Sequence, residues 1–558
     1  MANSKAVSSK RNKKTGYYVT EPVISIKQML KKAKDEAGDW NAYRYKVSED
    51  EIKDVTFNEF YQDTEDLGAS LCKLGFGNTH IACVGDNSYP WIVAYLTVLK
   101  SAGVFVPIDK ELPEDDMFRI INDSDSTAIF FASRFEESIL GNKDKLPNVK
   151  YFISLDREVS NDECLSMRQL ISEGADIDKT EYDSLKSDEG DLKLLVYTSG
   201  TTGIAKGVML SEHNLISGVY YGLHVSQVFG TGLSVLPYNH TYEAVCDILV
   251  SIHKHTTLCI NDSLKAVLKN LQLFKPDYIY IVPAFLELFY AGVQKNIRKQ
   301  GKEKLVNNMI GISNGLRKVG IDLRKVFFKQ ITDAFGGNLR KIVCGGAPIR
   351  PEIGKFFGDI GIWVIGGYGI TECSPLVSVN DEKANDYNTV GRRLPCLEWR
   401  VDSPNEEGIG EIQVKGDVVM LGYYKHPEKT DEVLKDGWFS TGDYGYITPQ
   451  DWLVITGRKK NIIVLTNGKN IYPEEIENLI MQIDYISEVI VSGIKNEHGQ
   501  ETGLQAEVYL AEEHTEEQTL DDIQNKLEAL PGYKNISKVV IRDEPFAKTT
   551  SNKIKRKY

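Results

Sequence analysis

The sequence predicts an α/β protein: a large N-terminal domain of several subdomains, with parallel α/β sheets and a small β-rich unit, then a small C-terminal α+β domain. Three observations carry this. At 558 residues the chain exceeds what one hydrophobic core can organise. Short apolar strands alternate with helical stretches over its first two-thirds. After about residue 385 the pattern becomes short strands separated by turns, and after Lys460 it changes again.

"IACVGDNSYPWIVAYLTVLKSAGVFVPID" (81–109) reads as strand, loop, helix, strand. Apolar residues crowd Ile81–Val84, recur at helical spacing at Ile92, Tyr95, Leu96 and Leu99, and crowd again at Val104–Ile108, with Gly103 as a helix stop. Similar strands follow in "TAIFFAS", "KYFISLD", "DYIYIVP" and "KIVCGGAP". "LEWRVDS", "GEIQVKG" and "WLVITGR" form the β-rich unit. Beyond them, "YPEEIENLIMQI" and "LDDIQNKLEAL" are amphipathic helices, and "EVIVSGI" and "LQAEVYL" are strands. The polar "GRKKN" (457–461) is the expected hinge between an N-terminal domain over 17–456 and a C-terminal domain over 462–558.

Composition narrows the function. The chain is 42% apolar and 26% charged, ordinary for a soluble globular protein. A net charge of -13 argues against nucleic-acid binding. An anionic ligand must then be met by local positive charge. Eight scattered cysteines, with no C-x-x-C pair and no zinc spacing, read as reduced thiols in a cytosolic chain. The start lacks the apolar core of a secretory signal, and no apolar run is long enough to span a bilayer, so the expected location is cytoplasmic. Segment 1–16 reads as a basic, disordered tail.

"LVYTSGTTGIAKGVML" (195–210) carries the chemistry. Glycines let backbone N–H groups converge on one point, hydroxyls add donors, and Lys206 adds a mobile cation, so a polyphosphate is a natural guest. The lysine spacing is wrong for a Walker A loop. On composition alone a plain surface turn fits equally well.

In its motif, "YTSGTTGIAKG" resembles the phosphate loop of the adenylate-forming enzymes: acyl-CoA synthetases, adenylation domains of peptide synthetases, and luciferases. Further family motifs follow in order: "GGAP" (345–348), "GYGITE" (367–372), "STGD" (440–443), "GRKKNIIVLTNGKNIYPEEIE" (457–477) and "KTTSNKIKR" (548–556). The resemblance implies ATP, Mg²⁺ and CoA as reactants. It implies that Thr198, Ser199, Gly200, Thr201, Thr202, Gly203 and Lys206 cradle the β- and γ-phosphates. Glu372 would hold the metal and Thr371 would contact the α-phosphate. Gly345, Gly346, Ala347, Pro348, Tyr368 and Gly369 would form the adenine side, with Asp443 and Arg458 on the ribose. Lys553 would be the catalytic lysine, brought by a mobile C-terminal lid pivoting at Lys460, and Gly468, Lys469 and Asn470 would face CoA. Asn552 departs from the family's usual glycine before that lysine. Asn tolerates left-handed backbone better than most residues.

The same resemblance points to the acid. "LPYNHTYE" (236–243) resembles the motif beside the acyl site, making His240 a gate or carboxylate-side residue, or else a packed core histidine. Segment 295–329 holds ten Lys/Arg against two acids and resembles the helical insertion of long-chain acyl-CoA synthetases. It reads either as a peripheral contact with an anionic membrane or as a solvated basic face. The expected activity is ATP-dependent conversion of a long-chain fatty acid to acyl-AMP, then to acyl-CoA. The alternatives are an aromatic or other acid, a carrier-protein thiol as acceptor, or a non-catalytic nucleotide-binding regulatory module. The chain ends just after the lysine motif, where a peptide-synthetase module would continue, which favours the CoA ligase.

Overall fold

The computed structural model describes residues 10–13, 15–198, 205–382, 385–466, 469–497, 499–548 and 554–556. Two large sheets organise the N-terminal part. One has eight strands in the order Gly422–Tyr423, Lys206–Ser211, Leu192–Thr198, Val104–Ile108, His80–Val84, Ala128–Phe131, Tyr151–Ser154, Leu165–Ser166. It is parallel from Leu192–Thr198 onward, and its first two strands are antiparallel. The other has nine strands, with a parallel centre running through Trp363–Gly369, Lys341–Cys344, Tyr278–Ile281, Thr231–Ser234, Thr257–Ile260 and Asn41–Lys46.

The helix Tyr89–Lys100 explains how the sheets join. Its apolar spacing marks it as helical, yet almost every residue is buried, as for a helix covered on all sides. Trp91 packs on Phe105 of the first sheet (ring centroids 5.1 Å) and on Tyr238 beside the second (5.2 Å). Ser88 caps the helix through the Trp91 amide, and it ends at Lys100, before the expected Gly103 stop.

The β-rich unit is a five-stranded antiparallel sheet starting at Leu397; the strands just after residue 375 still belong to the nine-stranded sheet. The C-terminal unit has a three-stranded sheet, Ile486–Lys495, Glu501–Leu510 and Ile536–Ile541, packed by helices Pro473–Ile480 and Glu516–Leu527. The second helix starts four residues before the apolar pattern because Thr515 and Gln518 form a capping box. All eight cysteines are free, and among the described residues no helix is long and apolar enough to cross a membrane.

Within the segment 1–16, expected as a disordered tail, Arg11 is tied to the body of the protein. Arg11 makes a two-pronged ion pair with Asp381 and lies 4.0 Å over the Tyr18 ring. The Tyr18 hydroxyl donates to Glu382 (2.6 Å), which also pairs with the fully buried Lys341. One basic residue of the segment, Arg11, is thus held by a carboxylate 370 positions away.

In the C-terminal unit, Glu477 accepts from the Val491 amide (2.7 Å) and pairs with Arg556, the last residue of the lysine motif. Burial pushes Glu477 up to about 7 against the pull of Arg556. A carboxyl that keeps its proton in the folded state supports folding at low pH and loses that contribution as pH rises through its folded value. Thermal denaturation across pH is expected to show stability falling between the ordinary value of 4.5 and about 7, with Glu477→Gln flattening the fall. An equally steep fall in the variant would refute this assignment.

Candidate functional site

The glycine–hydroxyl loop joins two antiparallel strands, and its ends, Thr198 and Lys206, are register partners. Ser199, Gly200, Thr201, Thr202 and Gly203 lie outside the described residues. Lys206 Nζ sits 5.0 Å over the ring of Tyr423. The Tyr423 hydroxyl donates to Glu372 Oε1 (3.0 Å), and the Glu372 carbonyl accepts from the Met420 amide (2.9 Å). Burial and the adjacent Glu372 carboxylate push the Tyr423 phenol far up, so it remains a donor. Gly422 makes this approach possible: with φ at +144°, a Cβ there would lie 2.8 Å from Thr430, whose hydroxyl accepts from the Tyr423 amide. One tyrosine therefore links the loop's cation to the expected metal carboxylate. Sequence reading passed it over; its trace is the "GYYK" (422–425) between strands of the β-rich unit, whose pairing with Val208 and Met209 is more than 200 residues distant.

Gly345, Gly346, Ala347 and Pro348 leave the end of the strand Lys341–Cys344, where Cys344 is in register with Gly366 of the neighbouring strand. Gly346 takes φ +87°, a backbone conformation that favours glycine. Further along the neighbouring strand come Tyr368 and Gly369, then the short turn Thr371–Cys373, which presents half-buried Thr371 and Glu372.

The Tyr368 hydroxyl donates to Asp443 Oδ2. Arg458 Nε pairs with Asp443 Oδ1 at 2.8 Å, and the two are register partners on adjacent strands. Burial would lower the Arg458 value, but Asp443, Tyr368, Glu372 and Glu474 together outweigh it and raise it. The expected ribose and metal sides thus act on one guanidinium. Asp443 is 2% exposed, whereas the Arg458 side chain is 43% exposed. In this arrangement the arginine, not the carboxylate, faces solvent.

His240 caps the turn from Thr241; its carbonyl accepts from the Glu243 and Ala244 amides. A π-helical stretch, Ala244–Leu249, follows, a feature frequent at functional sites. Buried Glu243 precedes it and buried Asp247 lies within it, with Ser234 donating to Glu243, and burial raises both carboxyls.

The hinge sequence forms a turn, Lys459–Asn461, directly after Arg458. Lys459 pairs with Glu411 (2.6 Å), and Asn461 donates to Glu474 on the first helix of the C-terminal unit. Lys460 is exposed, and partial burial together with Arg458 and Arg556 lowers its pKa. Lys469 and Asn470 are exposed on a two-stranded ribbon, with Lys469 over Tyr533 at 5.7 Å; Gly468 lies outside the described residues. So do Asn552 and Lys553. An antiparallel bridge between Lys548 and Ile554 brings together the two ends of their segment, and Lys548 pairs with Glu488 (2.6 Å).

The AMP-binding enzyme family matches residues 30–424. The chain belongs to that family and is an adenylate-forming ligase. Long-chain-fatty-acid–CoA ligase FadD15 of Mycobacterium bovis is 27% identical over 465 residues, covering 79% of this chain and 75% of that protein. Long-chain-fatty-acid–CoA ligase 5 of Rattus norvegicus is 29% identical over 492 residues, covering 80% and 70%. Long-chain-fatty-acid–[acyl-carrier-protein] ligase AEE15 of Arabidopsis thaliana, chloroplastic, is 27% identical over 522 residues, covering 79% and 70%. Among solved structures, the anthranilate CoA ligase AuaEII with anthranoyl-AMP has a TM-score of 0.76 at 17% identity, covering 95% of both chains. The ATP-bound RpMatB-BxBclM chimera B3 has a TM-score of 0.75 at 22% identity, covering 95% and 97%. These structures share the fold.

Enzymes of this family work with ATP, Mg²⁺ and CoA. Glu372 fits the metal: it is a single half-buried carboxylate with one oxygen anchored, and Mg²⁺ characteristically takes one or two carboxylates plus substrate phosphates. Tyr423→Phe keeps the ring under Lys206 and removes the hydrogen bond to Glu372. Mg²⁺ titration of pyrophosphate release is expected to give a half-saturating concentration raised by about 10- to 100-fold. An unchanged Mg²⁺ dependence would refute the anchoring role.

Proposed function

We propose that the protein activates a long-chain fatty acid to acyl-AMP with release of pyrophosphate, then passes the acyl group to CoA. Convergence carries this reading. Segments about 70 to 90 residues apart bring Tyr368, Glu372, Asp443 and Arg458 into one electrostatic field, inside a chain whose relatives include long-chain-fatty-acid–CoA ligases.

The chemistry follows from charge. A carboxylate is a poor electrophile, and its approach to the α-phosphate of ATP brings two anions together. Positioning and fixed positive charge supply most of what such a transfer needs. Lys206 and the loop beside it hold the leaving pyrophosphate. Glu372 holds Mg²⁺, which supplies neutralisation of phosphate charge when bound. Thr371 contacts the α-phosphate. Gly345 to Pro348, Tyr368 and Gly369 bound the adenine. The ribose is met first by Arg458, the exposed member of its pair, and by Asp443 once Arg458 shares or yields an oxygen. His240 stands on the acyl side. The lid over 462–558 pivots at Lys460 and delivers Lys553 to the reacting oxygens. A second closed position turns Gly468, Lys469 and Asn470 toward CoA.

The similarity to an acyl-carrier-protein ligase favours one second reading, a carrier thiol as acceptor. Pyrophosphate release and thioester formation with palmitate, coumarate, CoA and holo-acyl carrier protein decide between them. Palmitate is expected to drive pyrophosphate release, with free CoA as acceptor. Activity with coumarate alone, or thioester only on the carrier protein, would overturn the proposal. Lys553→Ala is expected to abolish acyl-adenylate formation while sparing thioester formation from supplied acyl-AMP. Equal loss of both half-reactions would contradict the two-position lid.

A further inference from the structure

The helix Glu303–Lys318 buries Val306 and Ser313 on its inner side, and Met309 and Ile310 pack against the core cluster below. Its need for a buried apolar face is thereby met. Yet Leu305, Ile312 and Val319 stand 53%, 57% and 72% exposed. They are spaced i, i+7 and i+14, so they fall on one outer stripe with a drift of only about 20° per seven residues. Over its 16 residues the helix is about 24 Å long. Ile321 and Val326 extend the exposed apolar set beyond the helix end.

Cations flank the stripe. The two acids of 295–329 are occupied locally, Glu303 by Arg298 and Asp322 by Arg324. Lys304, Lys318 and Lys325 are exposed, and none is paired with a carboxylate among the described residues; Arg317 donates only to Asn314. The segment carries net +8 within a protein of net -13. Gly311 and Gly315, where an added Cβ would meet nothing within 4 Å, leave the helix surface low beside the stripe.

We propose that this face is a docking surface for an anionic lipid bilayer, with the aliphatic stripe entering the interface and the lysines reaching phosphate headgroups. Charge selects the occupant: the same face of a second copy would set cations against cations, whereas an anionic membrane supplies acyl chains and negative charge together. Lysine stems can lie along apolar surface while their ammonium groups stay in water. The surface lies outside the residues assigned to the ligase reaction, so the proposal stands or falls separately from the acid the enzyme uses.

The test is co-sedimentation of the full chain with vesicles of phosphatidylcholine alone or mixed equally with phosphatidylserine. Two variants are compared: the charge reversal K304E/R317E/K318E/K325E, and the stripe variant L305N/I312N/V319N. Circular-dichroism melting establishes that each is folded. Binding to the mixed vesicles only is expected, with each folded variant losing more than about tenfold in partitioning, the first through lost attraction to headgroups and the second through lost apolar burial. No binding to mixed vesicles, or undiminished binding of either folded variant, would overturn the proposal. So would retention on an acidic protein without binding to vesicles.

Discussion

The carboxylate of Asp443 is the point on which the site's arrangement depends. It is nearly inaccessible to water, and its oxygens accept from the Tyr368 hydroxyl and the Arg458 guanidinium. A buried carboxylate is tolerated only when paired and hydrogen-bonded. The three groups come from three strands of two sheets. Tyr368 lies near the end of a strand of the nine-stranded sheet, whereas Asp443 and Arg458 lie on paired strands of the β-unit, Arg458 at the end of the last strand before the hinge turn. Satisfying one buried charge therefore fixes the β-unit against the sheet and sets where the hinge begins.

A net negative protein that handles an anionic nucleotide has to place its cations locally. Lys206 rests over the Tyr423 ring, whose hydroxyl reaches Glu372. Arg458 is held between Asp443 and the fields of Glu372 and Glu474. Both cations are oriented by neighbours before a ligand arrives, which reduces the reorganisation demanded when charge develops. The hinge turn is tied on one side by Lys459 to Glu411 and on the other by Asn461 to Glu474.

Local pattern reveals some of this and hides the rest. The strands His80–Val84, Val104–Ile108 and Lys341–Cys344 are legible because a buried parallel strand needs a short apolar run bounded by turn residues. The helix Tyr89–Lys100 is legible as a helix, but its burial on all sides is a property of two sheets meeting. The loop, the glycines of "GGAP" and the acids at 372 and 443 stand out through their motifs. Tyr423 does not, because its role arises from an antiparallel pairing with Val208 and Met209 that no local window contains. The docking of Arg11 on Asp381 is hidden for the same reason: an unpaired basic run and a paired one look alike until the distant carboxylates are placed. The exposed stripe at Leu305, Ile312 and Val319 needed burial as well as spacing, since apolar residues at helical intervals ordinarily face inward.

Calorimetric titration of a non-hydrolysable acyl-adenylate analogue into the native chain and into Asp443→Asn measures most directly whether this buried carboxylate organises a nucleotide cleft. The account predicts tight binding to the native protein, and a Kd raised by about 30-fold or more in the variant, the range for truncating one partner of a buried charge pair. Equal affinity of a folded Asp443→Asn protein, or no binding by the native chain, would contradict it.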